Sequence, residues 1–192
     1  MSSHIKKQKT IFGQNQYFSP GRPGTYNPGF SLLRLKRTTT TLETKKTELF
    51  ILLLEGEITI ALDESPETYT FKRSSIFKDL PSGLYVPPGK KVTIQSLREL
   101  SEAALCFSSE LQRGTNDGNA LQPMACRSGD VVVRDVGQGS YRRKVMTTCG
   151  AKGETRTLLV GETLSEGGMW SSYPPHRHEK NELPMENKLK EI

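Results

Sequence analysis

Residues 48–62 read Glu-Leu-Phe-Ile-Leu-Leu-Leu-Glu-Gly-Glu-Ile-Thr-Ile-Ala-Leu and carry the strongest fold signal in the chain. Residues 48–54 are predicted to form a strand, because residues 49–54 are an apolar run of buried-strand length, and residues 57–62 alternate apolar and polar side chains. Alternation places every second side chain on the same face of a strand. The Glu55-Gly56 pair between the two halves predicts a turn, so the stretch is interpreted as a β-hairpin.

The rest of the chain continues this β pattern outward from the hairpin. Short segments with strand-like composition alternate with turns rich in Gly, Pro or Asp, and a helical period is almost absent. The predicted strands lie at residues 30–35, 38–41, 68–72, 75–77, 84–86, 92–96, 103–107, 131–134, 144–148 and 155–164. Many short strands at close spacing predict an all-β sandwich or barrel.

Changes in composition divide the chain into four parts. Residues 1–26 lack periodicity and are predicted to be a flexible lead-in or a strap across the surface. Residues 27–110 are predicted to form a first β unit, and residues 130–192 a second one. Residues 111–129 are polar, are interrupted by Gly and Pro, and are predicted to link the two units.

The composition indicates the redox state of the protein, its location and the partners it does not bind. Three cysteines with no Cys-x-x-Cys spacing indicate a reduced protein without a disulfide framework. No apolar run reaches membrane-spanning length, and residues 1–10 do not resemble a signal peptide, so we expect a cytoplasmic protein away from membranes. The net charge of +6 comes with interspersed acidic residues and no basic run interleaved with aromatics, so no nucleic-acid partner is expected.

Residues 167–178 contain the chemistry-bearing motif. They read Gly-Gly-Met-Trp-Ser-Ser-Tyr-Pro-Pro-His-Arg-His and include the only tryptophan, Trp170. His176 and His178 would share one face of a strand, and two neutral imidazoles on one face suit a transition metal. The alternative is a surface histidine pair beside a proline turn.

The lead-in to these histidines favours the metal site. Residues 170–178 resemble the signature of the 5-deoxy-glucuronate isomerase family of myo-inositol catabolism, with Arg177 in place of a lysine. Residues 73–77, 83–89 and 157–162 resemble further motifs of that family. The resemblance implies a cupin-type β-barrel fold in a bicupin arrangement. It also implies that the chain ends before a later strand with a fourth metal-binding histidine, so we expect an incomplete second barrel.

A third metal ligand has two candidates. Glu182 lies four residues after His178, and Glu191 lies thirteen residues after it. A ligand requires a rigid backbone, and Leu183-Pro184 ends any strand just after Glu182, which favours Glu191. The resemblance also favours Glu191, because the family's ligand glutamate directly precedes an isoleucine. The predicted metal site is therefore His176, His178 and Glu191, holding zinc, iron or manganese.

The implied activity is the metal-dependent aldose–ketose isomerisation of 5-deoxy-glucuronate, with a general base that the sequence does not identify. The implied partner is a small uronate-type sugar, and self-association into a homo-oligomer is left open. The basic clusters at residues 34–37 and 142–144 are either solvated strand ends or contacts for an anionic sugar. The alternative function is a non-catalytic cupin remnant that acts as a sugar-binding or dimerising module.

Overall fold

The computed structural model describes residues 11–18, 28–63, 65–109, 121–152 and 154–171. These residues form strands and two short 3₁₀ turns, so the all-β prediction is confirmed. The strands are β1 Gly13–Phe18, β2 Pro28–Leu35, β3 Thr39–Glu43, β4 Thr47–Leu62, β5 Thr68–Arg73, β6 Ser82–Val86, β7 Lys91–Ser96, β8 Ser101–Ser109, β9 Met124–Cys126, β10 Val132–Val136, β11 Arg143–Cys149 and β12 Val160–Ser165. Each pairing between them is antiparallel.

Strand β4 is one continuous element of 16 residues, so the predicted hairpin is wrong. Its first half pairs with β6 and β8, and its second half pairs with β5 and β7. A β-bulge between Leu53 and Glu55 precedes Gly56, whose φ is 99°. A Cβ on Gly56 would lie 2.5 Å from the Ser101 hydroxyl oxygen, so a side chain does not fit there. The Glu-Gly pair therefore bends the strand instead of reversing it.

The bulge also changes which side chains of β4 face the core. Before it, the odd-numbered residues Leu49, Ile51 and Leu53 are buried in the main cluster. After it, the even-numbered residues Ile58, Ile60 and Leu62 are buried in the same cluster. One extra residue inverts the alternation. The strand can therefore pass from one sheet layer to the next while its apolar side chains stay inside.

The first unit is built around this strand. One layer has the strand order β1-β2-β8-β4-β6-β9; in the second layer, β5 and β7 pair with the far half of β4, and β3 pairs with β7. The aliphatic core lies between the two layers and draws on β2 and on every strand from β4 to β8. Residues 13–18 lack apolar alternation and were predicted as part of a lead-in or strap, but they form β1 along the edge of β2.

Most of the predicted short strands are confirmed, but the strand predicted at residues 155–164 begins only at Val160, and two other segments differ. Residues 75–77 form a turn instead of a strand, because the Asp79 carboxylate accepts hydrogen bonds from the backbone N–H groups of Ser74 and Ser75. These bonds favour a tight side-chain-capped turn over a ladder. Residues 124–126, inside the predicted linker, form β9 and pair with β6. The four-part division of the chain otherwise stays a prediction.

The second unit, in the described part of the chain, is a three-stranded sheet with the order β10-β11-β12. It packs on the outer face of the first unit through a second apolar cluster that contains Phe50, Leu52 and Tyr85 from one side and Cys149, Leu158 and Val160 from the other. The first half of β4 is therefore buried on both faces, which explains the uninterrupted apolar run there. Whether the second unit is an incomplete barrel stays a prediction.

Candidate functional site

The predicted metal ligands His176, His178 and Glu191 lie outside the described residues, as does the competing candidate Glu182. Within the described ranges, no group of three or more His, Cys, Asp or Glu side chains is arranged to hold a metal ion. The structure does describe the approach to the motif, from β12 through Trp170 to Ser171. The metal site therefore stays a prediction, and the structure shows what leads into it.

Strand β12 runs into the motif through a tight turn. The Met169 N–H donates to the Glu166 carbonyl oxygen at 3.1 Å, and Gly168 supplies the positive φ of 79° that the turn requires. The Trp170 N–H then donates to the Ser140 carbonyl oxygen at 2.8 Å. This bond attaches the start of the signature to the connection between β10 and β11. Trp170 as a whole residue is 66% exposed.

The connection between β10 and β11 is a compact loop built around the 3₁₀ turn Gly139–Tyr141. Gly137 has a φ of 83°, and a Cβ there would lie 2.3 Å from the Tyr141 carbonyl oxygen. The close backbone approach and the positive φ thus both require a glycine at position 137. On its surface, Arg142 and Glu166 form an exposed ion pair at 3.4 Å, a contact worth little in water.

A buried ion pair fixes β12 against the first unit. The Arg73 side chain is fully buried and meets the Glu162 carboxylate in a two-point contact, with N–O distances of 2.6 and 2.8 Å. The guanidinium also donates to the carbonyl oxygens of Leu53 and Asp79, each at 2.9 Å. Because a guanidinium and a carboxylate match in this fork geometry, the pair fixes both position and orientation. We call Arg73 and Glu162 the interunit clamp.

A second polar contact crosses the same boundary. The Glu48 carboxylate is 1% exposed and accepts hydrogen bonds from the Tyr85 hydroxyl at 2.6 Å and the Thr157 N–H at 2.7 Å. It also accepts from the Arg156 N–H at 2.8 Å and from the Thr157 hydroxyl. Burial, together with the bond to Glu48, raises the pKa of Tyr85 far above its ordinary value, so this hydroxyl stays a donor.

Sequence reasoning missed both polar contacts. Arg73 and Glu162 were part of quoted motifs, but 89 residues separate them and neither has a local partner that would indicate burial. Glu48 was interpreted as the first residue of a strand. A charged residue at the end of an apolar strand is a weak signal for such a contact, because solvated strand ends have the same composition.

The three cysteines do not form a reactive centre. All three are free thiols. Burial raises the pKa of Cys106 to about 12 and, with nearby Asp130 as a further cause, that of Cys126 to about 11. Burial raises the pKa of Cys149 as well. Thiols with pKa values this high are protonated near neutral pH, so they act as small apolar side chains in the second cluster.

Comparisons with known proteins agree with the motif. Residues 4–192 match the model of the KduI/IolB family. A 5-deoxy-glucuronate isomerase of Geobacillus thermodenitrificans is 29% identical over 193 residues, which cover 100% of this chain and 66% of that protein. The 5-deoxy-glucuronate isomerase of Bacillus subtilis strain 168 is 32% identical over 154 residues, which cover 79% of this chain and 54% of that protein. The chain thus spans between half and two thirds of the length of these relatives.

A solved structure gives the fold. The crystal structure of an IolB-like protein from Salmonella typhimurium LT2 matches with a TM-score of 0.77 at 23% identity and covers 93% of this chain and 65% of that chain. The cupin-type fold class implied by residues 170–178 is therefore confirmed. No helix in the described ranges has the length and apolar character to cross a membrane.

Proposed function

The chain belongs to the KduI/IolB family, and from this membership we propose that it is an aldose–ketose isomerase of 5-deoxy-glucuronate. The observation that carries the proposal is the family match over residues 4–192, which includes the whole signature at residues 170–178. Relatives from Geobacillus thermodenitrificans and Bacillus subtilis are named 5-deoxy-glucuronate isomerases, which supports the same reaction class for this chain.

The proposed cofactor is a divalent metal ion, zinc, iron or manganese, held by His176, His178 and Glu191. This choice rests on the donor set, because two imidazoles and one carboxylate suit these metals and leave coordination positions open. A bound metal would act as a Lewis acid toward the substrate's carbonyl and adjacent hydroxyl oxygens. The proposed location is cytoplasmic, in keeping with a small sugar acid as substrate.

In the proposed mechanism, residues of the chain transfer protons and keep the metal-binding segment in place. In the proposed reaction, the proton on C2 of the aldose is transferred to C1, and the hydroxyl proton on O2 is transferred to O1. The interunit clamp and the bond from the Trp170 N–H to the Ser140 carbonyl oxygen restrain the segment that precedes the histidines. Restraint of this kind preserves the geometry of a site.

The test is a combined assay of metal content and turnover. We expect the purified 192-residue chain to contain a stoichiometric divalent metal by elemental analysis and to convert 5-deoxy-glucuronate in an assay followed by NMR. His176→Ala should lose both the metal and the activity, whereas Arg177→Gln, between the two ligands, should retain the metal. A metal-free, inactive wild-type protein would refute the isomerase and leave the non-catalytic cupin module as the explanation of the fold.

A further inference from the structure

The three-stranded sheet β10-β11-β12 has two chemically different faces. Met146 is buried, and its neighbour across the strands, Glu162, reaches Arg73 of the first unit. This face is therefore turned toward the first unit. Because side chains alternate along a strand, residues one position away point to the opposite side. That opposite face carries Arg134 on β10 and Arg143 on β11, and we call it the arginine face.

The two arginines are close to each other in the ladder. Arg134 is paired with Val145, which lies two residues from Arg143 on the same face of β11. Residues related in this diagonal way have Cβ atoms about 7–8 Å apart or somewhat less, within reach for long side chains. On the other side of β11, Thr163 is paired with Val145 and Ser165 with Arg143. Two guanidinium groups and two hydroxyl groups thus share one surface.

Among the described strand residues, those on the arginine face include no aspartate or glutamate. In the described part of the chain, neither Arg134 nor Arg143 forms an ion pair, and the nearby Glu166 is paired with Arg142. The polar contact found for the Arg143 guanidinium is a long hydrogen bond of 3.5 Å to the Tyr141 carbonyl oxygen. Neighbouring like charges on a sheet are unfavourable, so an anion bound between them would relieve a real repulsion.

The position of this surface connects it with the signature. The row Val136–Arg143–Ser165 is at the end of the sheet where the loop around Gly139–Tyr141 lies and where β12 continues toward Trp170. The bond from the Trp170 N–H to the Ser140 carbonyl oxygen holds the start of the signature at this same end. The exposed Trp170 ring adds an apolar surface of the kind that the C–H face of a sugar contacts.

We propose that Arg134 and Arg143 bind the carboxylate of an open-chain sugar acid, with Thr163 and Ser165 donating or accepting hydrogen bonds at its hydroxyl groups. Planar guanidinium groups hold a carboxylate through two parallel N–H···O bonds, which gives both affinity and orientation. This inference rests on the proposed function, because it names the site that would bind the acidic end of the isomerase substrate. It assigns to Arg134 and Arg143 the role of substrate-binding residues.

The experiment measures binding at equilibrium, with no turnover required. Isothermal titration of the full chain uses D-gluconate, a sugar acid without an aldehyde, and sorbitol, a neutral polyol of the same carbon number. We expect D-gluconate to bind and sorbitol to bind at least about tenfold more weakly, because a charge-assisted contact is lost. Arg143→Gln and Arg134→Gln should each weaken gluconate binding by about tenfold or more, and Arg143→Lys should have a smaller effect.

The matched control is Lys144→Gln, which removes the same charge from the next residue of β11 on the opposite face. It should leave gluconate affinity unchanged, and circular dichroism should show the same fold for all variants. Equal losses in Lys144→Gln and Arg143→Gln would overturn the proposal, as would equal binding of sorbitol or full displacement of gluconate by sulfate at the same concentration.

Failure of this inference can be distinguished from failure of the isomerase proposal. If gluconate binding depends on both arginines but 5-deoxy-glucuronate is not turned over, the binding-site proposal stands and the isomerase proposal is refuted. If both arginine variants turn over 5-deoxy-glucuronate with an unchanged KM, the isomerase proposal stands and the binding-site proposal is refuted.

Discussion

The two β units achieve their stability in different ways. In the first unit, Leu49, Ile51 and Leu53 are each 0% exposed, and two sheet layers enclose them completely. In the second unit, Val132, Val136 and Val145 remain only half-buried, and the fully buried side chains are those that face the first unit. The first unit thus has a core made of its own side chains. The described part of the second unit instead buries its apolar side chains against the first unit.

This difference explains why the boundary between the units contains buried polar groups. An apolar contact fixes burial but tolerates sliding, whereas the Arg73–Glu162 clamp and the Glu48 hydrogen bonds require one relative position. The signature begins shortly after β12, so the position of β12 also fixes where the signature begins. The polar contacts are therefore better explained by the placement of the sheet than by stability alone, since buried ion pairs often add little net stability.

The largest effect is expected from Phe50→Ala, which removes a ring that is 0% exposed in the shared cluster. Loss of such a ring costs about 3–5 kcal/mol of unfolding free energy. Hydrogen exchange in mild urea should show β10, β11 and β12 losing protection before β2 and β8. Ile51→Ala, its neighbour on the other face of β4, is the control and should weaken the first unit first. Simultaneous loss of protection everywhere in Phe50→Ala would show that the units are one cooperative body.

A smaller effect is expected from Glu162→Gln, which leaves the fully buried Arg73 without its carboxylate. Removing one partner of a buried pair is costly, but the Glu162 side chain is 17% exposed and solvent screens part of the loss, so about 2–3 kcal/mol is expected. Chemical denaturation measures this value. The double variant Arg73→Met with Glu162→Leu should recover most of it. A double variant as unstable as the sum of its single variants would contradict the pairing.

The smallest effect is expected at the turn that holds Asp79. Hydrogen bonds from the Ser74 hydroxyl, then from the Ser74 and Ser75 N–H groups, lower the pKa of Asp79 below its ordinary value. A lowered folded-state pKa gives stability that is present above the unfolded-state pKa and is lost as pH falls through the folded-state pKa. Asp79→Asn should therefore flatten the decline of stability below about pH 4. Chemical denaturation at a series of pH values measures this. If the variant loses stability below about pH 4 as the wild type does, the Asp79 turn does not contribute to the pH dependence of stability.

The strands of the first unit were largely predictable because their signal is local. Alternation at residues 92–96 and apolar runs at residues 84–86 and 103–107 each indicate a strand without knowledge of its partner. The path of β4 was not predictable, because Glu55-Gly56 has the composition of a turn, and only the close approach of Ser101 shows that Gly56 bends the strand. Strand β1 was missed because its pairing with β2, and not its composition, makes it a strand.

The sequence by itself determined the β class, the family and the stretch that bears the histidines, because periodicity and contiguous motifs are properties of neighbouring residues. Tertiary structure alone decided that Arg73 meets Glu162, that Glu48 holds Thr157, and that Arg134 and Arg143 share a face away from both contacts. These outcomes depend on strand register and sheet packing. A shift of one residue in the strand register would move each of these side chains to the opposite face of its sheet. The local patterns in the sequence would stay the same.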